Sequence, residues 1–376
     1  MKIYLDNAAT IRADDAVIEE IAYCMRHAYA NPSSLHSMGQ AAAAKVENAR
    51  EICAKTIGAK PHEIIFTSGG TESDNIALLG YARANRAKGT HIITTAIEHH
   101  GVLNPCRQLE KEGFEVTYLM PDSDGMMNPE IFKQTIREDT ILISVMHVNN
   151  EIGTVQPIET IGQIAREKGI AFHSDAVQSF GKQELNVKDM CVDMLSVSAH
   201  KMHGPKGIGF LYVRDGVKLI PVLYGGEQER MLRAGTINAP LIAGFGVAIN
   251  VSYQNMSDRE TAIARKRDRL ISLILDTIEN VRLNGSAAYR SAENANFFIR
   301  GIQTDALLYA MDMADVCISA GSACTAGSVE PSHVIKAIGR DQGGASIRFS
   351  LSKHTTDEEI ERAADVLSAV VKKLRA

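Results

Sequence analysis

Between residues 60 and 215 short apolar runs alternate with amphipathic stretches, and this alternation constrains the fold more than any other feature of the chain. Parallel strands need a connection of a dozen or more residues, which a helix supplies, so the pattern predicts βαβ construction around a mixed, mostly parallel sheet. Strands are expected over residues 63–67, 91–95, 115–119, 141–145, 171–178 and 192–198, and helices over 75–84, 128–138 and 158–168. In such sheets ligands gather beyond the carboxyl ends of the strands. The polar residues at those ends are therefore the candidates for a site.

The strand over 63–67 runs straight into Ser68-Gly69-Gly70-Thr71 and a helix. Free backbone N–H groups and the helix dipole converge at such a turn, which makes Gly70 and Thr71 an anion cradle of phosphate type. A tight turn capped by Thr71 or Ser73 is the other reading. The strand over 91–95 ends in Glu98-His99-His100. Adjacent histidines point in different directions and no third ligand stands at a telling spacing, which disfavours a metal. A histidine in this place can instead lie flat on an aromatic cofactor, and His99 is the candidate. The strand over 141–145 leads to Asn149, Asn150 and Gly153, which suit a site floor. Asp175 lies on a strand that should be buried, where a carboxylate requires a cation or hydrogen-bond donors, and a protonated pyridine nitrogen is such a partner. Lys201 follows in Ser198-Ala-His200-Lys201, before a Gly/Pro-broken turn. Burial lowers a lysine's pKa and suits it to Schiff-base chemistry, the alternative being an exposed turn lysine.

A chain of 376 residues accommodates one large domain and a smaller one. Its net charge of −5 and lack of long basic runs argue against nucleic acid and against a polybasic membrane anchor. There is no apolar run of membrane-spanning length and no signal-peptide pattern at the N-terminus, so a cytoplasmic location is expected. The six cysteines show no CxxC spacing, which disfavours a disulfide framework and a zinc knuckle. Most sit in apolar surroundings as small hydrophobes. Cys324 does not: residues 318–328 are almost all Gly, Ser and Ala around this one thiol, the profile of an accessible, reactive cysteine.

Outside the alternating region, a strand is expected over residues 3–5 and helices over 14–28 and 40–58, separated by Asn31-Pro32-Ser33-Ser34. Residues 225–236 are glycine-rich and polar, with Arg230, Arg233 and Thr236 as anion donors or as solvated side chains. A helix over 257–279, strands over 296–299 and 346–351 and a helix over 356–374 complete a smaller α+β domain.

The segments YLDNAAT, NPSSLH, TSGGTESDN, EHH, HVNNEIG, SDAVQ, SAHKMHGPKGIG, RAGT, GSACTAGSVEPSHV and SIRFSLSKHTT, in this order, resemble the group I cysteine desulfurases of the NifS/IscS type along essentially the whole chain. The resemblance implies the aspartate aminotransferase-like fold of type I pyridoxal phosphate enzymes, with a large domain over residues 13–256 and a small one formed by 1–12 and 257–376. It implies that pyridoxal 5′-phosphate is carried on Lys201, with its phosphate held by Gly70, Thr71, Ser198 and His200. His99 would stack on the ring, Asp175 would keep its nitrogen protonated, and Asn150 and Gln178 would tune its oxygen. Arg348, with Asn31 nearby, would bind the carboxylate of L-cysteine, and Cys324 would take the sulfur as a persulfide. Thr236 would reach the cofactor of a partner subunit, which implies a homodimer. The sulfur acceptor is left open among iron–sulfur scaffolds, tRNA-thiolation enzymes and cofactor thiolation. Rival readings are a selenocysteine lyase, an aminotransferase of the serine–pyruvate kind, and a non-catalytic sulfur carrier.

Overall fold

Seven strands among the described residues form the main sheet, in the spatial order Ile64–Thr67, Gly209–Val213, Met194–Ser198, Ala171–Asp175, Thr140–Ser144, His91–Thr95 and Glu115–Leu119. The structure, a computed structural model, describes residues 2–321, 332–341 and 343–376, so Cys324 lies outside the described residues. From Met194–Ser198 to Glu115–Leu119 every neighbouring pair is parallel, as helix-bearing connections require. Gly209–Val213 departs from this, pairing antiparallel with both neighbours. The link from Ser198 to Gly209 is too short for a crossover, so the chain turns back on itself and Lys201 sits in that turn.

Side chains on each strand alternate between two apolar layers. Ile64 and Phe66 enter one core with Leu195, Val197 and Phe210, while Ile65 enters another with Met194 and Leu211. With both faces covered, the central strands are buried along their whole length, which explains their continuous apolar sequence. The helices Ser37–Thr56 and Ala239–Tyr253 close one layer. Their alanines and glycines permit close approach: a Cβ on Gly246 would stand 3.1 Å from that of Ala49.

The smaller domain holds an antiparallel sheet ordered Gly344–Ser350, Asn294–Arg300, Val281–Asn284, packed with the helices Met256–Thr277 and Asp357–Arg375. Ile3–Tyr4 pairs in parallel with Val316–Cys317, and Ile3 and Leu5 join this core. The chain's first residues therefore pack with its last third.

Two local features differ from expectation. The helix expected from residue 75 begins at Gly70, because Gly69 leaves the strand at φ 149° and the Glu72 carboxylate accepts the Ser68 N–H. Residues 76–80 then wind as a π turn. The helix His100–Lys111 was hidden by Gly101 and by Pro105 within it, yet it is the crossover that makes the strands on either side parallel.

Candidate active site

A cavity of about 200 Å³ opens at the carboxyl ends of the parallel strands. It is lined by Gly70, Thr71, His99, Asn150, Asp175, Gln178, Ser198, His200, Lys201 and Arg348, together with Ala8, Ala9, Asp74, Met146 and Val177. A larger cleft of about 470 Å³ lies at the opposite strand ends around Ile170, Asp193 and Arg214. None of the residues expected to do chemistry is found there.

At one end of the cavity, strand Ile64–Thr67 delivers the Gly69–Gly70 turn. A Cβ on Gly70 would stand 2.5 Å from Val177 Cγ2, so a side chain there requires the valine to shift. Gly70 and Thr71 open the following helix and line the cavity together with Ser198 on the adjacent hairpin, and the N–H groups of a helix's first turn are donors of the kind an anion needs. At the cavity's centre, Asp175 is nine-tenths buried and accepts the Val177 N–H at 2.9 Å. Burial raises its carboxyl to about 6, against the Val177 N–H and the charge of Lys201, which pull it down. A cationic ring nitrogen placed against it would complete the compensation.

His99 caps the helix His100–Lys111, its Nδ1 accepting the Gly101 N–H at 3.0 Å. That bond places the ring proton on Nε2. Burial, with Lys201 as the next cause, lowers His99 to about 4, so the imidazole is neutral at physiological pH. Burial and Lys201 likewise lower His200 to about 4, and its Nδ1 lies 3.3 Å from Thr10 Oγ1. Asn149 shapes the next loop: its side chain donates to Ile97 O and accepts the N–H groups of Glu151 and Ile152. This turn presents Asn150 to the cavity.

The N-terminal segment supplies what sequence reasoning missed. Lys201 Nζ donates to Ala8 O at 2.5 Å and to Ala9 O at 2.8 Å, and Gln178 Nε2 donates to Ala8 O at 3.0 Å. Arg348, on Gly344–Ser350, is 1% exposed. Its Nη1 donates to Asn150 O at 2.7 Å and its Nη2 to Asp6 Oδ1 at 2.9 Å, while Nε has no partner among the described residues. Asp74 was also missed: it is buried in the cavity wall, where burial and then the neighbouring Asp175 push its carboxyl well above the usual range. A Cβ on Gly101 would stand 2.7 Å from its Oδ2, so a glycine at 101 makes room for it. The sequence signal for both lay in the motifs themselves, in YLDNAAT and in TESDN, but not in any periodicity.

Two expected site residues lie away from the cavity. Asn31 is exposed, its Oδ1 accepting the Ser33 N–H at 2.9 Å, and Thr236 is exposed on the segment that follows the hairpin. Cys324 lies outside the described residues. Four other cysteines, Cys24, Cys53, Cys106 and Cys191, are buried, and burial raises the thiols of the first three.

The Aminotransferase class-V family model matches residues 3–363. The chain belongs to the class-V aminotransferases. Within that family it falls among the IscS/NifS-type proteins. Cysteine desulfurase IscS of Dictyoglomus turgidum (strain DSM 6724 / Z-1310) is 46% identical over 376 residues, covering 100% of this chain and 95% of that protein. Among solved structures, a NifS-like protein superposes with a TM-score of 0.93 at 35% identity over 100% of both chains. A structure of SspA in complex with cysteine matches with a TM-score of 0.84 at 40% identity, covering 95% of this chain and 100% of that one. The family implies pyridoxal phosphate, and the cavity's donor set fits that group: a glycine turn at a helix N-terminus, a buried carboxylate with room for a cation, and a lysine amine.

Proposed function

We propose that the protein is a cysteine desulfurase, which removes sulfur from L-cysteine to give L-alanine and keeps the sulfur as a persulfide on Cys324. What carries the reading is one cavity lined by Lys201, Asp175, His99 and Arg348 in a chain so close to known cysteine desulfurases.

Lys201 binds the cofactor through its Nζ, and the same amine takes the α-proton of the substrate. Gly70, Thr71, Ser198 and His200 bind the phosphate, and Thr236 contributes to that of a second copy in a homodimer. Pyridoxal phosphate, when bound, supplies an electron sink for the bonds at the substrate's α carbon. Asp175 holds a proton on the ring nitrogen, His99 presents a neutral imidazole oriented by Gly101, and Asn150 and Gln178 act at the ring oxygen. Arg348 binds the substrate carboxylate. The Cys324 thiolate then attacks the substrate sulfur. An S–S bond forms, the Cβ–S bond breaks, the electron pair left at Cβ takes one proton, and the α carbon regains its proton from Lys201 to complete alanine.

The domain division is read as residues 13–256 for the large unit and 1–12 with 257–376 for the small one, the arrangement supported by the separate apolar cores. The persulfide passes to a sulfur-accepting protein, of the iron–sulfur scaffold or tRNA-thiolation kind, in the cytoplasm. No helix among the described residues is long and apolar enough to cross a membrane.

The test is product analysis. Cys324→Ala should retain the cofactor absorbance and release no sulfide from L-cysteine, and Lys201→Ala should lose the lysine-bound cofactor band. Sulfide release by the first variant, an unchanged spectrum in the second, or pyruvate in place of alanine as the product would refute the reading.

A further inference from the structure

Arg348 is paired before any substrate arrives. It is almost wholly buried, and its Nη2 donates to Asp6 Oδ1 at 2.9 Å, while the Asp6 side chain is 20% exposed. The acceptor is fixed in place, because the N-terminal segment is pinned beside the arginine's own strand. Asp6 bridges Ser350, the Asn7 N–H donates to Ser350 O at 3.3 Å, and Asn7 Nδ2 donates to the same oxygen at 2.7 Å. The Arg348 backbone is held in turn by Ser319 on its other side. With Nη1 committed to Asn150 O and Nε buried without a partner among the described residues, Nη2 is the nitrogen at which an incoming carboxylate meets Asp6.

We propose that Asp6 is a positioning and affinity-setting residue of the substrate site, a resident carboxylate that keeps the buried guanidinium in register and competes with the incoming carboxylate for it. The inference rests on the reading of Arg348 as the carboxylate site. Two like charges on one guanidinium repel, and inside a protein this repulsion is far stronger than in water. Asp6 thereby weakens the binding of any amino acid carried by Arg348, substrate and product alike, and lets alanine leave. An unpaired buried guanidinium would be costly, so the counter-ion also stabilises the empty site.

The test uses the holoenzyme and two ligands that carry no sulfur and differ in the charge under discussion, L-alanine and L-alaninamide, with dissociation constants read from the change in cofactor absorbance. Asp6→Asn keeps an acceptor for Nη2 and removes the charge. It should tighten L-alanine about tenfold, the equivalent of ~1.4 kcal/mol, and change L-alaninamide less than twofold. With L-cysteine as substrate, KM should fall and kcat should fall with it as alanine release slows. Asp6→Ala, which removes the acceptor too, should lower kcat without tightening L-alanine to the same degree. Equal effects on both ligands, or weaker binding of L-alanine by Asp6→Asn, would overturn the proposal. Arg348→Gln separates the two readings: it should abolish the preference for L-alanine over the amide. If it does so while Asp6→Asn changes nothing, only the role of Asp6 falls. If the preference survives Arg348→Gln, the carboxylate site lies elsewhere and both fall.

Discussion

Glu229 is expected to be the fastener of the segment that carries Thr236, and its removal can be worked through from the structure. Glu229, Arg230 and Met231 have φ of 43°, 57° and 64°, a run of left-handed residues without a glycine. Each costs about 1–2 kcal/mol, so roughly 3–6 kcal/mol acts to straighten the segment. Opposing it, Glu229 Oε1 and Oε2 receive Arg50 Nη2 and Nη1 at 2.7 and 2.9 Å, and Oε2 also accepts the Phe66 N–H at 2.8 Å. The two side chains are only 3% and 12% exposed, and breaking such a buried pair costs about 3–5 kcal/mol. Glu229→Ala loses that pairing but releases part of the strain, for a net loss of about 2–3 kcal/mol. With an unfolding entropy of about 0.8 kcal/mol per kelvin for a chain of this length, Tm should fall by about 3 °C. Calorimetry of the holoenzyme reads that shift, and equilibrium dialysis should show weaker binding of pyridoxal phosphate as Arg233 and Thr236 move. Met231→Gly should do the reverse, raising Tm by about 1 °C, since glycine is at ease with positive φ. A Tm for Glu229→Ala within 1 °C of the parent, or a lower one for Met231→Gly, would refute the account.

Glu260 lies on Met256–Thr277 beside Arg259, and burial, then the charge of Glu293, raises its carboxyl to about 7. The folded state therefore binds a proton that the unfolded chain has released, and stability should decline as pH rises from about 4.5 to 7, by up to ~3 kcal/mol. Glu260→Gln should flatten that decline and leave the protein more stable at pH 8, checked by urea unfolding across the window. Asn149→Ala strands the N–H groups of Glu151 and Ile152 and the carbonyl of Ile97, which should cost about 3 kcal/mol in urea unfolding. It should also raise KM for L-cysteine, because Asn150 and its contact to Arg348 depend on that turn. His99→Gln keeps an acceptor for the Gly101 N–H but removes the ring, and should shift the cofactor absorbance while changing Tm by less than about 2 °C.

The sequence makes the sheet legible because its strands are buried on both faces and end in chemistry. Gly70, His99, Asn150, Asp175 and Lys201 each stand where an apolar run stops, and the structure gathers them at one cavity. The strand Gly209–Val213 is legible as an apolar run after the Gly/Pro-broken turn, but its antiparallel sense shows only in the shortness of the Lys201 turn. Asp74 carries no periodic signal; its burial depends on the missing side chain of Gly101, far along the chain. Beyond the strand expected over residues 3–5 the N-terminal segment gives no residue-type signal, because Ala8 and Ala9 act through backbone carbonyls.

That segment explains why the site can be divided between two sheets and still be one site. Asp175 and Lys201 come from the large sheet and Arg348 from the small one, so their separation depends on whatever spans the seam. Residues 3–9 span it: Ile3 and Leu5 are fixed in the small core, Asp6 and Asn7 along the strand of Arg348, and Ala8 and Ala9 on the lysine and on Gln178. Arg290 ties the same seam from the other side, donating to the carbonyls of Ile152, Asn284, Ser286 and Asn294. Burial lowers it to about 9, yet four carbonyl dipoles surround its guanidinium. The Asn149–Gly153 turn is therefore held to the small sheet on one side and offers Asn150 O to Arg348 on the other. A shift of either sheet would disturb the lysine, the ring carboxylate and the arginine together, so the geometry needed at the substrate's α carbon depends on the backbone carbonyls of Ala8, Ala9 and Asn150 that hold the lysine and the arginine.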